Sequence, residues 1–128
     1  MKAQDIMTRE LVWIRGDVTA LEATEFMRTH GISSVLVERR NPEDTWGIVT
    51  LSDIVNRVVE PGQDPREVQV HEIMSKPLVI VGPELNVKHC AQLMERTKVR
   101  RLPVFDGQEI VGIVAHRDIV RALLEPRT

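Results

Sequence analysis

The sequence repeats itself, and this internal repeat constrains the fold more than any other feature. A constant shift aligns the first part of the two copies, and the shift then falls by two residues between Val104 and Gly112. A loop tolerates such a deletion at the least cost. The aligned segments are DIMT at 5–8 with EIMS at 72–75, 31–37 with 98–104, and 47–55 with 112–120. Each copy is therefore one structural unit, and the duplication predicts paired sites.

Each copy has the hydrophobic periodicity of a strand, a helix, two strands and a second helix. In copy one we expect a helix that begins at Asp17 or Thr19 and ends at Gly31, and a second helix that ends at the Pro61–Gly62 pair. The turn residues 41–44 predict a hairpin. The predicted strands of copy one are 11–14, 32–37 and 46–50. In copy two the predicted strands are 78–81, 101–105 and 109–115, and the predicted helices are 86–96 and 117–124.

A copy of about 60 residues is marginal as an independent core. We therefore expect a mixed α+β fold in which two tandem βαββα repeats, 1–62 and 72–128, pack sheet against sheet as one unit. A pseudo-twofold axis would relate the repeats and create two similar clefts. The segment 63–71 is polar and is predicted to be the connector.

The composition argues against several functional classes. The chain has 17 Lys and Arg against 19 Asp and Glu, so it lacks the basic excess typical of nucleic-acid binding, although Arg96, Lys98, Arg100 and Arg101 form a small basic cluster. No apolar stretch predicts a membrane span or a secretory leader. A single cysteine, Cys90, excludes an internal disulfide. We expect a cytoplasmic protein that does not contact a membrane.

The sequence contains no catalytic motif. A nucleophile with its base, a phosphate-binding glycine-rich loop and a His-Glu-x-x-His motif are all missing. The histidines have no metal-ligand spacing with one another or with Cys90. Recurring methionines at helical spacing are expected to fill the core, as is Cys90. We therefore expect a protein that is not an enzyme and carries no metal or cofactor.

Three repeated motifs resemble a pair of cystathionine-β-synthase-type (CBS) domains, together called a Bateman module. They are the openings DIMT and EIMS, the strand VRRLPVFD, and the strand-to-helix segments GIVTLSD and GIVAHRD. The resemblance covers essentially the whole chain. It implies clefts that bind adenosine-containing ligands such as AMP, ADP, ATP, S-adenosylmethionine or NAD, and a regulatory role in which binding is reported to another protein.

The resemblance also implies a ligand-binding role for particular residues. Thr50 would contact phosphate or ribose, and Asp53 and Asp118 would accept hydrogen bonds from ribose hydroxyls. An ionised carboxylate suits a vicinal diol, because it only accepts hydrogen bonds. The basic residues that would hold phosphate are Arg100 and Arg101, with His116 and Arg117 compensating for Ala115, which lacks the hydroxyl of Thr50.

Simpler interpretations remain open for the same residues. Asp53 and Asp118 fall in the first turn of predicted helices, where a carboxylate is stabilising without any ligand. Thr50 is equally suited to a helix cap, and Arg100 and Arg101 could pair with Glu95 and Asp106 on the surface.

The two copies differ at these positions, which predicts unequal affinities with the Asp53 cleft the tighter. By resemblance we expect a homodimer, formed by the apolar helix faces near 54–59 and 119–124. The second copy runs to the end of the sequence, so the output is expected to act on a separate, unknown effector protein. The alternative is a structural or oligomerisation module whose clefts stay empty.

Overall fold

The computed structural model describes residues 1–76 and 79–125. These residues form two compact units, which we name the central unit (12–76) and the terminal unit (1–11 with 79–125). In chain order the elements are α1 (Ala3–Ile6), β1 (Trp13–Ile14), α2 (Ala20–His30), β2 (Ser34–Val37), β3 (Gly47–Thr50), α3 (Leu51–Ile54), a π-helical segment (Val55–Val59), α4 (Val70–Ile73), α5 (Val87–Thr97), β4 (Arg101–Phe105), β5 (Ile110–Ala115) and α6 (His116–Leu124). The predicted mixed α/β class is confirmed.

The central unit contains a three-stranded sheet in the order β1-β2-β3. Strand β1 is parallel to β2, and β2 is antiparallel to β3. The predicted hairpin is confirmed: the side chain and the carbonyl of Asn41 accept hydrogen bonds from the backbone N–H groups of Glu43 and Asp44. Of the two predicted caps for α2, Thr19 is the one used, and Gly31 ends the helix in the left-handed conformation at φ 63°.

The terminal unit pairs β4 with β5 in antiparallel register. Asn86 caps α5, and Lys98 ends it with φ 60°. A strand was predicted at 78–81; Leu78 lies outside the described residues, and Val81 makes an isolated parallel bridge to Val104. The other predicted strands and helices lie within two residues of the observed elements, except that β1 is reduced to Trp13–Ile14. The sequence does not predict the short helices α1 and α4.

The opening segment of each copy packs with the body of the other copy. Thr8 exchanges backbone hydrogen bonds with Ile113 of β5, and Ser75 exchanges them with Ile48 of β3. Thr8 belongs to copy one and Ile113 to copy two, so the compact units do not coincide with the sequence repeats. The two opening segments are in this way exchanged between the copies.

Glycines allow this exchange to pack closely. A Cβ atom on Gly47 would lie 2.5 Å from the sulfur of Met74, and one on Gly112 would lie 2.7 Å from Cγ of Met7. A side chain at either position would have to displace the methionine. Gly47 and Gly112 therefore mark close packing against the opening segment of the other copy.

Each unit has its own apolar core. Met27 and Met74 are buried in the central unit, and Met7, Met94 and Cys90 are buried in the terminal unit. Burial raises the pKa of the Cys90 thiol, as expected for a core residue. The central core also includes two valines from the predicted connector, Val68 and Val70. Among the described residues, no helix has both the length and the apolar character needed to cross a bilayer.

Candidate ligand-binding site

The turn from β3 into α3 is held by a reciprocal pair of hydrogen bonds. The Asp53 N–H donates to the Thr50 hydroxyl over 3.1 Å, and the Thr50 N–H donates to Oδ2 of Asp53 over 2.8 Å. This is a capping box, which satisfies two backbone donors at the start of a helix. Asp53 is half-buried, and within residues 1–76 and 79–125 no donor lies within hydrogen-bond distance of its other oxygen, Oδ1. The turn therefore offers one free carboxylate oxygen.

The equivalent turn from β5 into α6 holds its carboxylate more tightly. Oδ2 of Asp118 accepts from the Ala115 N–H at 2.7 Å, while Oδ1 accepts from the Thr8 hydroxyl at 3.2 Å and from Arg121 at 2.8 Å. Ala115 has no hydroxyl, so the second half of the box is missing. Asp118 is 1% exposed, and it is the one fully buried charged residue of the described chain. Both of its oxygens are already occupied.

In both units, the first residue of the first hairpin strand lies opposite the last residue of the second strand, where the strand-to-helix turn begins. Ser34 lies opposite Thr50, and Arg101 lies opposite Ala115. The carbonyl of Ser33 accepts from the Leu51 N–H, just as the carbonyl of Arg100 accepts from the His116 N–H. These matching hydrogen bonds confirm the sequence alignment of the two arginines with the two serines.

A basic cluster surrounds the start of α6. Arg100, His116 and Arg117 are exposed, and Arg101 is half-buried beside them on β4. Helix α6 has nine residues, so its backbone dipole adds positive potential at the same place. Cationic side chains beside a helix start favour an anionic group such as phosphate.

The acidic neighbours proposed as surface partners of these arginines make other hydrogen bonds. Glu95 forms an ion pair with Lys98. Asp106 accepts from the backbone N–H groups of Glu109 and Gln108, which lower the pKa of its carboxyl group.

The structure sorts the predicted site residues into two groups. Thr50 and Asp53 lie in the central unit, whereas Arg100, Arg101, His116, Arg117 and Asp118 lie in the terminal unit. Helix capping accounts for Thr50, Asp53 and Asp118 without a ligand, and a ligand role for all seven residues stays a prediction.

Sequence reasoning missed Thr8, whose hydroxyl contacts Asp118. The available signal was the repeated position itself, because Ser75 occupies the same place in copy two. A cavity of about 280 Å³ lies beside Asp118, and the charged side chains in its lining are Asp5, Asp118, Glu125 and Arg121. Three carboxylates against one guanidinium do not suit a phosphate.

Comparisons with known proteins identify the family. The sequence profile named CBS domain matches residues 3–60 and again 70–125. The chain belongs to the CBS domain family. Both matched segments contain one copy of the repeat described above, so the CBS domain pair expected from the sequence is confirmed. In the described residues, no group of three or more His, Cys, Asp or Glu side chains is arranged to hold a metal ion.

Several relatives show how this CBS pair occurs elsewhere. An uncharacterized protein of Methanopyrus kandleri is 35% identical over 91% of this chain, and CBS domain-containing protein YhcV of Bacillus subtilis is 32% identical over 91%. The chain covers 60% of the first protein and 81% of the second. The chain therefore spans only about 60% of the first relative's length.

A solved structure is also close to this fold. The hexameric CBS-CP12 protein from bloom-forming cyanobacteria is 42% identical, with a TM-score of 0.89 over 94% of this chain and 66% of that protein.

Proposed function

We propose that this CBS pair is a non-catalytic regulatory module that binds an adenosine-containing nucleotide and signals to a separate partner protein. The observation that carries the proposal is the strand-to-helix turn, which the chain builds twice with an inward carboxylate at the same position. AMP, ADP and ATP are the first candidates, followed by S-adenosylmethionine and NAD. The absence of catalytic motifs from the sequence agrees with a binding role.

The two turns differ in what they offer a nucleotide. Oδ1 of Asp53 can accept a hydrogen bond from a ribose hydroxyl while Oδ2 continues to cap the helix. Arg100, Arg101, His116 and Arg117 supply donors and positive charge for phosphate.

The two turns are expected to bind with unequal affinity. A ribose hydroxyl can reach Asp118 only if the carboxylate gives up a bond to Thr8 or Arg121, whereas Asp53 gives up nothing. Replacing a charge-assisted hydrogen bond in a buried site costs binding free energy. We therefore place the tighter site at Asp53.

Isothermal titration calorimetry of the wild-type protein with each nucleotide tests this function. The proposal predicts saturable binding with one tight site and one weaker site. Two equal sites would contradict the assignment to Asp53, and no heat with any of the five ligands would contradict nucleotide sensing.

A structural module with empty sites is the second candidate, and exposed apolar helix faces favour it. On α6, Leu123 is 78% exposed and Leu124 is 80% exposed, and Val59 after α3 is 63% exposed. Val120, Leu123 and Leu124 share one exposed face of α6, because residues three and four apart in a helix are neighbours, and such an apolar face marks an interaction surface. The related cyanobacterial CBS-CP12 protein is hexameric.

We propose a homodimer built on these helix faces, which both candidate functions allow. Light scattering at micromolar protein is expected to give twice the 14.6 kDa chain mass. Leu123→Asp should return the monomer mass. A wild-type protein that already scatters as a monomer would contradict the dimer.

The cellular setting is part of the proposal. A single buried thiol and the charge balance agree with a cytoplasmic protein that contacts neither a membrane nor nucleic acid. Unaltered size-exclusion elution in the presence of RNA or DNA at low salt would support the absence of nucleic-acid binding, and a shift to larger size would contradict it.

A further inference from the structure

The central unit contains a cavity lined by charged side chains, at the opposite end of its strands from Thr50. The cavity has a volume of about 440 Å³. It opens where β1 ends at Ile14 and β2 ends at Val37, since the residues that follow both strands line it. The carboxyl ends of parallel strands are a common place for ligand binding. The charged or titratable side chains in its lining are Arg15, Asp17, Glu38, Arg39, Arg40 and His71.

Three of these side chains are guanidinium groups held in place by neighbours. Arg15 pairs with Asp17 at 2.6 Å and remains 73% exposed, so most of its donors stay available. Arg40 lies 3.5 Å from Asp44 and is 58% exposed. The guanidinium carbon of Arg39 lies 5.0 Å from the ring centroid of Trp46. Contacts of this kind restrict the side chains before any ligand arrives.

A histidine adds a ring nitrogen that can accept a hydrogen bond from a ligand hydroxyl. Nδ1 of the His71 ring lies 3.0 Å from the carbonyl oxygen of Gly16. The backbone N–H of His71 donates to the same oxygen over 2.9 Å. Because a carbonyl only accepts, Nδ1 carries the proton and Nε2 is the ring nitrogen left for a ligand.

The fold does not need basic residues at this place, because the terminal unit builds the same strand ends without them. The hydrogen bond from the His71 N–H to the Gly16 carbonyl has its counterpart in the bond from the Gln4 N–H to the Pro83 carbonyl. The bond from the Glu38 N–H to Ile14 has its counterpart in the bond from the Phe105 N–H to Val81. At the matching positions, Arg15 becomes Gly82, Arg39 becomes Asp106 and Arg40 becomes Gly107.

We propose that this cavity binds a small polar molecule carrying a phosphate group. Three guanidinium groups outnumber the two carboxylates of the lining, and their planar donor forks match phosphate oxygens. The volume falls within the range of small-molecule sites and exceeds what a phosphate ion alone requires. Among the other lining residues, the carboxylates of Asp17 and Glu38 and the ring of His71 can bond to hydroxyl groups of such a molecule.

This site is independent of the proposed nucleotide site. Its lining contains neither Thr50 nor Asp53, and every lining residue belongs to the central unit. A phosphate compound without adenine, followed by the amide signals of the lining residues, therefore tests the cavity separately, so that failure here leaves the nucleotide proposal untouched.

The experiment titrates the ¹⁵N-labelled protein with glucose 6-phosphate, inorganic phosphate, glucose and succinate. The proposal predicts that glucose 6-phosphate saturates, that it shifts the amide signals of Gly16, Arg39 and His71, and that glucose does not. Weaker binding of inorganic phosphate would identify a phosphate ester as the ligand class. Equal binding would show that the site recognises the phosphate group alone.

Variants locate the binding. Arg15→Gln combined with Arg39→Gln should weaken binding by about tenfold or more, because two charged donors are lost. Arg28→Gln on α2 and Arg96→Gln on α5 are controls that should bind as wild type. His71→Asn is a second variant whose amide can still donate to Gly16, so it preserves the local fold and should also weaken binding.

Three results would overturn the proposal. One is the lack of saturation with both phosphate compounds. Another is an unchanged affinity in the double variant and in His71→Asn. The third is binding of succinate as tight as that of the phosphates, which would show a general anion surface instead of a phosphate site.

Discussion

The hydroxyl of Thr8 donates a hydrogen bond to Oδ1 of Asp118 over 3.2 Å. The two residues lie in different copies of the repeat, and the bond fixes the opening segment of copy one to the helix start of copy two. Since Asp118 is almost fully buried, each donor to its carboxylate offsets part of the cost of removing the charge from water.

Thr8→Val should therefore destabilise the protein by roughly 1–2 kcal/mol, because it keeps the shape of the side chain and removes a donor to a buried carboxylate. Urea unfolding measures the loss. Thr97→Val is the control, since the Thr97 hydroxyl donates to the Leu93 carbonyl at an exposed helix end. Equal losses in the two variants would show that the bond to Asp118 has no special importance.

Gly112→Ala should cost about 1–3 kcal/mol, because the new methyl group must displace the Met7 side chain close to its backbone. Gly82→Ala is the matched control: nothing lies within 4 Å of a Cβ at that position. Denaturant unfolding of both variants, and of Gly112→Ala combined with Met7→Ala, measures the effect. The double variant should lose less free energy of unfolding than the sum of the losses in the two single variants.

Lys98→Gly should stabilise the protein by about 0.5–1 kcal/mol. A left-handed conformation costs a residue with a Cβ roughly 1–2 kcal/mol, and the greater freedom of glycine in the unfolded chain cancels part of the gain. Gly31, at the same position of copy one, provides the reverse test, since Gly31→Ala should destabilise. Thermal unfolding midpoints that move in the same direction for both variants would contradict this explanation.

The Asp44–Lys76 ion pair should make stability depend on acidic pH. The ammonium group of Lys76, together with the Arg40 N–H, lowers the pKa of Asp44 well below its usual range. A lowered folded-state pKa contributes stability above the unfolded pKa, and this stability is lost as the pH falls through the folded value. The urea midpoint should therefore fall between about pH 5 and pH 2, with a shallower slope in Lys76→Met.

Lys88→Met provides the control for that experiment, because Lys88 is exposed on α5 and its side chain takes no part in the pair. Its slope should match that of the wild type. If the urea midpoint of Lys76→Met falls with pH as steeply as that of the wild type, the Asp44–Lys76 pair is not the source of the pH dependence.

The local structure of this chain could be predicted from its sequence. Thr19 and Gly31 mark the ends of α2, and 41–44 mark the hairpin, because capping and turn preferences depend on residues close in sequence. The two arginines at 100 and 101 were aligned with their serine counterparts because the repeat preserves position.

The exchange of opening segments could not be predicted in the same way. Hydrophobic periodicity places Met7 and Met74 in a core, but it does not say which sheet each segment joins. The burial of Asp118 follows from the same long-range pairing, since Thr8 reaches it only through the exchange. The basic cavity was also missed, because Arg15, Arg39 and His71 come from three separate segments.

Thermal unfolding with AMP, ADP, ATP, S-adenosylmethionine and NAD tests the central claim most directly, using wild type, Asp53→Ala and Glu22→Ala. Glu22 forms the same capping box with Thr19 on α2, so both variants lose a cap and only one loses the proposed ribose contact. A ligand at 100 times its dissociation constant adds about 2.7 kcal/mol, which raises the midpoint by several degrees. We predict that rise in wild type and Glu22→Ala and its loss in Asp53→Ala. No rise with any ligand, or a rise that survives in Asp53→Ala, would contradict it.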